Sequence, residues 1–441
     1  MKYFVVILWF YTISLFPQTY FQGGIYSDVT WTLAQSPYII TGDVVVFPQK
    51  TLTIEPGVRI LVAGYYRIEI RGNIRALGQS SSRIEFTRDS STITTNDSLY
   101  WLGIQIKTDQ GATGDFAYCI FSAATGAIEE SCCNHQQSVF YRNIIFKNNL
   151  SAITGYNGFK SLVDSCEFYG NQYAIMNADK NIKNSIFINN KYGLYATERI
   201  DIDSSYFAQN ETAIYGGRGL LRNTIIENNG IGVKSFFEGY NIQNCKILNN
   251  DIGLQLGSYS NYYLPTKNNN ICNNRIYNVE NLDDINKDIT KNCWCTSDSA
   301  EIESKLYDGY DNIYVGLLNY SIYDSTCINE LTQVIKIVLD VEDFRNISTN
   351  YKLEQNYPNP FNPSTKISWQ SPVSGWQTLK VYDILGKEVA TLVDEYRDAG
   401  NYEVDFPSVE TLHATSLPSG VYFYQLKSGD YIETKKMILL K

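Results

Sequence analysis

Between Asn143 and Leu254 one short pattern recurs six times, at steps of 22, 19, 20, 19 and 21 residues. Take Asn143, Ser165, Asn184, Ser204, Asn223 and Asn244 as zero points. Three places on stand Phe146, Phe168, Phe187, Phe207, Ile226 and Ile247. Six places on stands asparagine without exception: Asn149, Asn171, Asn190, Asn210, Asn229 and Asn250. Nine on comes a small residue (Ala152, Ala174, Gly193, Ala213, Gly232, Gly253), and ten on an aliphatic one (Ile153, Ile175, Leu194, Ile214, Val233, Leu254). A fixed period with fixed side-chain types means one unit stacked on copies of itself.

About 20 residues is too short for a helical-pair repeat, which needs roughly 33 or more. A leucine-rich repeat demands leucine at several spaced positions, whereas these slots hold Phe, Ile and Val. Such residues favour strands, and each apolar run is bounded by Asn, Gly or Lys. The pattern therefore predicts an all-β, right-handed parallel β-helix with one coil per repeat and two or three short strands per coil. Successive coils then lie about 4.8 Å apart. The asparagine column (Asn149, Asn171, Asn190, Asn210, Asn229, Asn250) suits a corner near the left-handed region, and stacked amides can bond along the column. The small residue at place nine fits a tight bend.

One place before each zero point lies a column of alternating charge: Arg142, Asp164, Lys183, Asp203, Arg222, then Gln243. It is either a binding face or a ladder of exposed charges that sets register, and exposed charge patterns commonly only solvate a face.

Upstream, Ile25–Cys133 alternates less regularly (Leu52/Ile54, Ile68/Ile70, Ile84/Phe86, Ile104/Ile106), punctuated by Gly57, Gly64, Gly72, Gly78 and Gly103. The phrases TLTIEPGVRILV, IRGNIRALG, RIEFT and WLGIQI resemble the opening coils of secreted β-helix proteins of the pectin-lyase-like superfamily, over about Ser27–Ile322. Near the end of that span, KNCWCTSDSAEIESKLYDGYDN is similar to the terminal turn of such proteins, with Cys293 and Cys295 where the family has an aromatic and a glycine. Ser297 or Ser299 before Glu301 and Glu303 is a plausible helix start. This segment, about 290–328, is expected to cap the stack, because a solenoid needs its ends covered.

Met1-Lys2 followed by a mostly apolar run to Phe16 has the form of a secretory signal peptide, assigned to 1–23, and is short for a spanning helix. The β-helix is assigned to 24–328 and a linker to 329–350. From 351 the texture changes. Tyr357–Thr365 is a run of extended and turn dipeptides, and alternating segments at Leu379–Tyr382, Tyr402–Phe406 and Val421–Leu426 spell a small β-sandwich. LEQNYPNPFNPSTKISW, VYDILGKEVATL, LPSGVYFYQL and KKMILLK resemble the type A sorting domain of the type IX (Por) secretion system. The resemblance implies an immunoglobulin-like sandwich over 351–441 and recognition by an outer-membrane translocon. It also implies release or attachment at the outer surface of a Gram-negative bacterium. It carries the sorting landmarks onto Asn356, Pro358, Asn359, Pro360, Phe361, Asn362, Pro363, Gly386, Gly420, Lys435 and Lys436. The residues around Ser408–Thr415 exceed the usual length and are expected to form a longer loop.

A net charge of −10 argues against nucleic acid or an anionic membrane as partner. Among 35 tyrosines, Tyr259, Tyr262 and Tyr263 form a cluster that could stack on sugars, though such tyrosines more often cover a loop. Of nine cysteines, Cys166 and Cys245 lie four turns apart, too far to bond, and are expected in the core. Cys293 and Cys295 are too close to bond to each other; Cys327 could pair with either. No C-x-x-C spacing supports a metal at Cys272, Cys293, Cys295 and Cys327, so no metal or cofactor is assigned.

For function, a non-catalytic surface solenoid binding polysaccharide or another cell surface is preferred. A polysaccharide lyase or glycoside hydrolase and a structural adhesin or surface-layer rod are the alternatives. Glycoside hydrolysis needs two carboxylates roughly 5–9.5 Å apart. Asp164 and Asp203, two rungs apart at about 10 Å, are marginal candidates, with Lys183 between them. The superfamily's pectin hydrolases pair Asp with a Gly-His-Gly. Only His135 and His413 occur here, in other contexts, and the lyases' arginine-rich strand is not recognisable.

Overall fold

The computed structural model describes residues 18–440 except 93–98, 132–138, 156–160, 178, 236–238, 258–265, 322, 324–326, 332–333, 335–350, 372–374, 398–399, 407–416 and 430. The signal-peptide segment up to Pro17, both histidines, Tyr259, Tyr262, Tyr263 and the Ser408–Thr415 loop therefore lie outside the described residues, as does most of 329–350.

The chain forms a parallel β-solenoid of about 10 turns, followed by antiparallel sheets. Each regular turn contributes to three walls. The first wall stacks Val139–Arg142, Ser161–Asp164 and Lys180–Lys183, and continues into the second halves of Tyr192–Asp203 and Thr212–Arg222. The second wall stacks Ile145–Lys147, Glu167–Tyr169, Ile186–Ile188, Tyr206–Ala208, Ile225–Glu227 and Lys246–Leu248. The third stacks Ser151–Gly155, Tyr173–Met176, the first halves of the two long strands, Ile231–Ser235 and Ile252–Leu256. Irregular upstream turns join the same walls, down to Thr19–Ile25, which pairs with Tyr38–Val46.

Place three of the repeat builds an unbroken column of rings. Phe86, Phe121, Phe146, Phe168, Phe187 and Phe207 stack with successive centroids 4.6, 5.3, 5.0, 4.6 and 4.4 Å apart. All are fully buried, as are the aliphatic side chains at place ten. Such offset-parallel rings combine large apolar burial with favourable quadrupole contacts.

The asparagine column is buried and bonded along its length. The backbone N–H and Nδ2 of Asn171 both donate to Asn190 Oδ1 at 3.0 Å, while Asn171 Nδ2 also reaches Phe146 O. The same motif runs from Asn149 through Asn250 and beyond the regular repeats to Asn274 and Asn278. The left-handed residues are not these asparagines but their neighbours. Positive φ falls at place zero (Asn143, Ser165, Asn184, Ser204, Asn223, Asn244) and at place five (Asn148, Gly170, Asn189, Gln209, Asn228, Asn249). The column's amides point inward to serve the backbone, so the bend itself is made one residue earlier, by Asn at four of the six turns and by Gly170 and Gln209 at the other two.

At the upper end, Ile289, Trp294, Ile302, Leu306 and Leu318 close over the core. The short helix Ser299–Glu303 is capped by Asp298, whose side chain accepts from Ala300 N–H, rather than by a serine. Cys293 bonds to Cys327, and Cys295 to Cys272 in the preceding turn, so the four cysteines weighed as a metal set form two staples. Past Cys327 the chain turns back down the outside of the second wall. Ile328 and Asn270 exchange two hydrogen bonds, and Leu331 and Val334 cover Tyr169, Ile186, Ile188, Tyr206 and Ile225. The start of the segment expected to be a linker is thus a strap on the solenoid.

The tail consists of a three-stranded sheet (Lys352–Leu353, Thr365–Ser371, Gly400–Phe406) and a four-stranded one (Glu388–Arg397, Gly375–Tyr382, Gly420–Ser428, Tyr431–Leu439). They enclose Ile367, Trp369, Leu379, Val381, Tyr424, Leu426 and Met437.

Candidate functional site

The third wall turns an aromatic face outward. Two repeat places supply it. Place eight gives Tyr173 and Tyr192, and place eleven gives Met176, Tyr195 and Tyr215, with Lys234 on the next rung. Parallel register stacks Tyr173 on Tyr192 at 5.3 Å and Tyr195 on Tyr215 at 4.7 Å. The two columns meet edge to face, Tyr192 lying 5.3 Å from Tyr195 and 5.6 Å from Tyr215. All four rings are half-buried. Lys191 stands 5.8 Å from the Tyr192 ring and Lys234 5.9 Å from that of Tyr215. Burial first, and then the neighbouring Glu211 charge and the adjacent phenols, raise the Tyr192 hydroxyl above its ordinary pKa; burial and the adjacent phenols do the same for Tyr215. The hydroxyls therefore stay protonated at neutral pH and can both donate and accept. Because such rings fix an apolar plane with a polar rim, the face suits a ligand that is itself flat on one side and hydroxylated at its edge.

Each long strand carries this face around a corner into the first wall, where Asp164, Lys183, Asp203 and Arg222 lie in vertical register. Asn181, Lys183, Asp201, Asp203, Leu220 and Arg222 line a shallow pocket there. Its carboxylates are occupied. Arg222 sits 2.7 Å from Asp203, and Asn223 Nδ2 and Ser204 Oγ donate to the same side chain at 2.8 and 3.0 Å. Burial pushes the Asp203 carboxyl up, but these donors outweigh it and hold it below the usual carboxylate range. Asp164 likewise accepts from Ser165 Oγ and Asn184 Nδ2. Asp203, ionised at neutral pH and surrounded by donors, is a poor general acid, and Lys183 intervenes between it and Asp164.

The tyrosine face was not singled out from sequence, although its signal is present: tyrosine recurs at places eight and eleven of the repeat. The three tyrosines favoured for stacking, Tyr259, Tyr262 and Tyr263, lie outside the described residues.

In the tail, Asn356 is buried. Its N–H donates to Tyr424 Oη, and its Nδ2 donates to Thr365 Oγ1 and Pro358 O. Asn359 Oδ1 accepts from Ile438 N–H, and Phe361, also buried, exchanges backbone bonds with Ile438 and Leu440. The Tyr357–Phe361 stretch is thereby laced to the last strand, while Pro358, Pro360, Asn362 and Pro363 stay exposed. Gly386, at φ +81°, makes the turn after Asp383; Gly420 opens the strand beside Lys435 and Lys436.

Residues 355–440 match the family described as secretion system C-terminal sorting domain. A 75-residue stretch, 17% of the chain, is 40% identical to the protein bark beetle of Drosophila melanogaster, of which it spans 2%. Crystal structures of the periplasmic alginate epimerase AlgG and of a mutant of it match at 10% and 12% identity, with TM-scores of 0.23 and 0.27; each match covers 66% of this chain and 77% of the other. Likeness at that level says nothing about activity. The chain is a parallel β-solenoid protein carrying a type IX (Por) C-terminal sorting domain, which indicates secretion and surface export.

Proposed function

We propose that this protein is a non-catalytic solenoid, displayed on or released from the outer surface of a Gram-negative bacterium, that holds a polysaccharide against its tyrosine face. The supporting observation is the four-ring array of Tyr173, Tyr192, Tyr195 and Tyr215, kept half-exposed by a rigid wall with lysines at its border. An N-terminal leader takes the chain across the inner membrane, and the tail engages the outer-membrane translocon. Binding of purified protein to a glycan array, followed by titration of each hit, tests the reading. Tyr195→Ala and Tyr215→Ala should each weaken a genuine hit by roughly tenfold, the worth of about 1.4 kcal/mol of lost stacking. Unchanged affinity in both variants, or no hit at all, removes the proposal. Reducing ends or unsaturated products released from pectin or alginate, and abolished by Asp164→Asn or Asp203→Asn, would replace it with a hydrolase or lyase.

A further inference from the structure

Inside the tube, one corner departs from the apolar rule. The interior column Val46, Ile70, Ile106 continues not to another aliphatic residue but to Glu130. On the first wall, the interior column that passes through Ile200 holds Lys180 one rung below it and Ser161 one rung further down. These intrusions meet. Lys180 Nζ lies 2.7 Å from Glu130 Oε1, Tyr141 Oη donates to the same oxygen, and Ser161 Oγ donates to Oε2 at 3.3 Å. Lys180 is 2% exposed, Glu130 7%, Ser161 1% and Tyr141 not at all. The Tyr141 ring stands beside the ammonium at 5.7 Å. Replacing a buried ion pair with apolar residues is often neutral or stabilising, so stability alone gives little reason to keep a lysine and a glutamate here.

The arrangement does supply the parts of an amide-forming reaction: an amine, a carboxyl, two hydroxyl donors on the carboxyl oxygens, and no bulk water. We propose that Glu130 and Lys180 condense into an intramolecular amide bond that staples the solenoid. Transfer of one proton along the 2.7 Å bond converts the pair to a neutral amine and a carboxylic acid. The Nζ lone pair then attacks Cδ, which a small rotation brings into the near-attack range of about 3–3.5 Å. Ser161 donates to the developing oxyanion. Tyr141 protonates the departing hydroxyl and regains a proton from the nitrogen. Nζ–Cδ forms, Cδ–O breaks, and one water leaves; nothing is oxidised or reduced, and no co-reactant is needed. Fixed proximity gives effective molarities of about 10⁵ M or more in well-oriented intramolecular reactions, and a water-poor interior opposes the back reaction. The product closes a loop between residues 50 apart in sequence.

The test is peptide mass spectrometry of the full-length purified protein after denaturation, reduction and proteolysis. The fragment containing Glu130 should be found joined to that containing Lys180, lighter than their sum by one water. Lys180→Arg keeps the charge but cannot form this bond, so its two fragments should separate. Recovery of both fragments separate and unmodified from the folded wild-type chain overturns the proposal.

Discussion

Asn171 spends two donors, its backbone N–H and its side-chain Nδ2, on a single acceptor, Asn190 Oδ1, at 3.0 Å each. Asn190 repeats this toward Asn210, so every amide in the column serves the turn on either side of it. An apolar substitution at Asn190 would strand donors on Asn171 and the carbonyl of Phe168, which Asn190 Nδ2 now satisfies. Each buried group left unpaired costs about 1–3 kcal/mol. Asn190→Ala should therefore lower unfolding free energy by about 3–5 kcal/mol in urea titration. Asn278→Ala, at the upper end of the column, should cost about half as much.

Much of this was legible because a period is a strong constraint. Residues at one place of a repeat share one environment, so Phe146 to Phe207 had to stack and Asn149 to Asn250 had to form a file. Three things were not legible, for distinct reasons. The left-handed bend lies at Asn148 and Asn189 rather than at the repeat-invariant Asn149 and Asn190, because Asn serves equally as a bend former and as an inward amide ladder. The outward tyrosines straddle two columns whose other members are Ser151, Thr212, Ile231 and Ile252 at place eight and Thr154, Met176, Lys234 and Gln255 at place eleven, so neither column is an unbroken aromatic stripe. Glu130 and Lys180 are 50 residues apart in sequence, each breaks the pattern singly, and only the coil brings them together.

The unpaired cysteines among the described residues offer a chemical probe of the same core. Burial pushes the Cys166 and Cys245 thiols up to about 12, and raises that of Cys119 as well. The thiolate is the reactive form, and at neutral pH none of the three supplies it. Peptide mapping should find Cys119, Cys166 and Cys245 unlabelled by iodoacetamide in the native protein at pH 8, and labelled once the protein is unfolded.

Asp203 gives the first wall a dependence on pH. Its folded pKa is depressed, so the stability it contributes is complete above its unfolded value, near 3.9, and is lost as pH falls through the lower folded value. The pair with Arg222 is partly exposed, the Asp203 side chain by 20% and that of Arg222 by 47%, and is worth about 0.5–1 kcal/mol at most. Asp203→Asn should lower stability by that amount at pH 7. The difference between variant and wild type should shrink below pH ~3.9 and vanish once the wild-type carboxyl is protonated.

The first rung bears on maturation. Thr19–Ile25 forms a parallel ladder with Tyr38–Val46, and Ile25 is buried. Cleavage after Gly23, the boundary assigned from sequence, would remove most of this strand and open the edge of the next. The leader is therefore expected to end at or before Gln18. Sequencing the N-terminus of the exported protein checks this; a mature chain beginning at Gly24 would refute it.

The strap over the second wall is held covalently at one end, by Cys293–Cys327, and otherwise by Leu331, Val334 and a few hydrogen bonds. Beneath it lie Tyr169, Ile186, Ile188, Tyr206 and Ile225, an apolar strip that would face water without it. Burial of so few side chains yields only a few kcal/mol, at about 25 cal/mol per Å², and the entropy lost in ordering the strap opposes it. The disulfide shifts that balance by restricting the free chain. Cys327→Ser should therefore leave the solenoid's far-UV circular dichroism unchanged while increasing ANS fluorescence and protease cutting near Leu331. Leu331→Asp in the disulfide-intact protein should do the same, because it removes the apolar contact directly. If neither change exposes the strip, the strap is held by contacts other than those at Cys327 and Leu331.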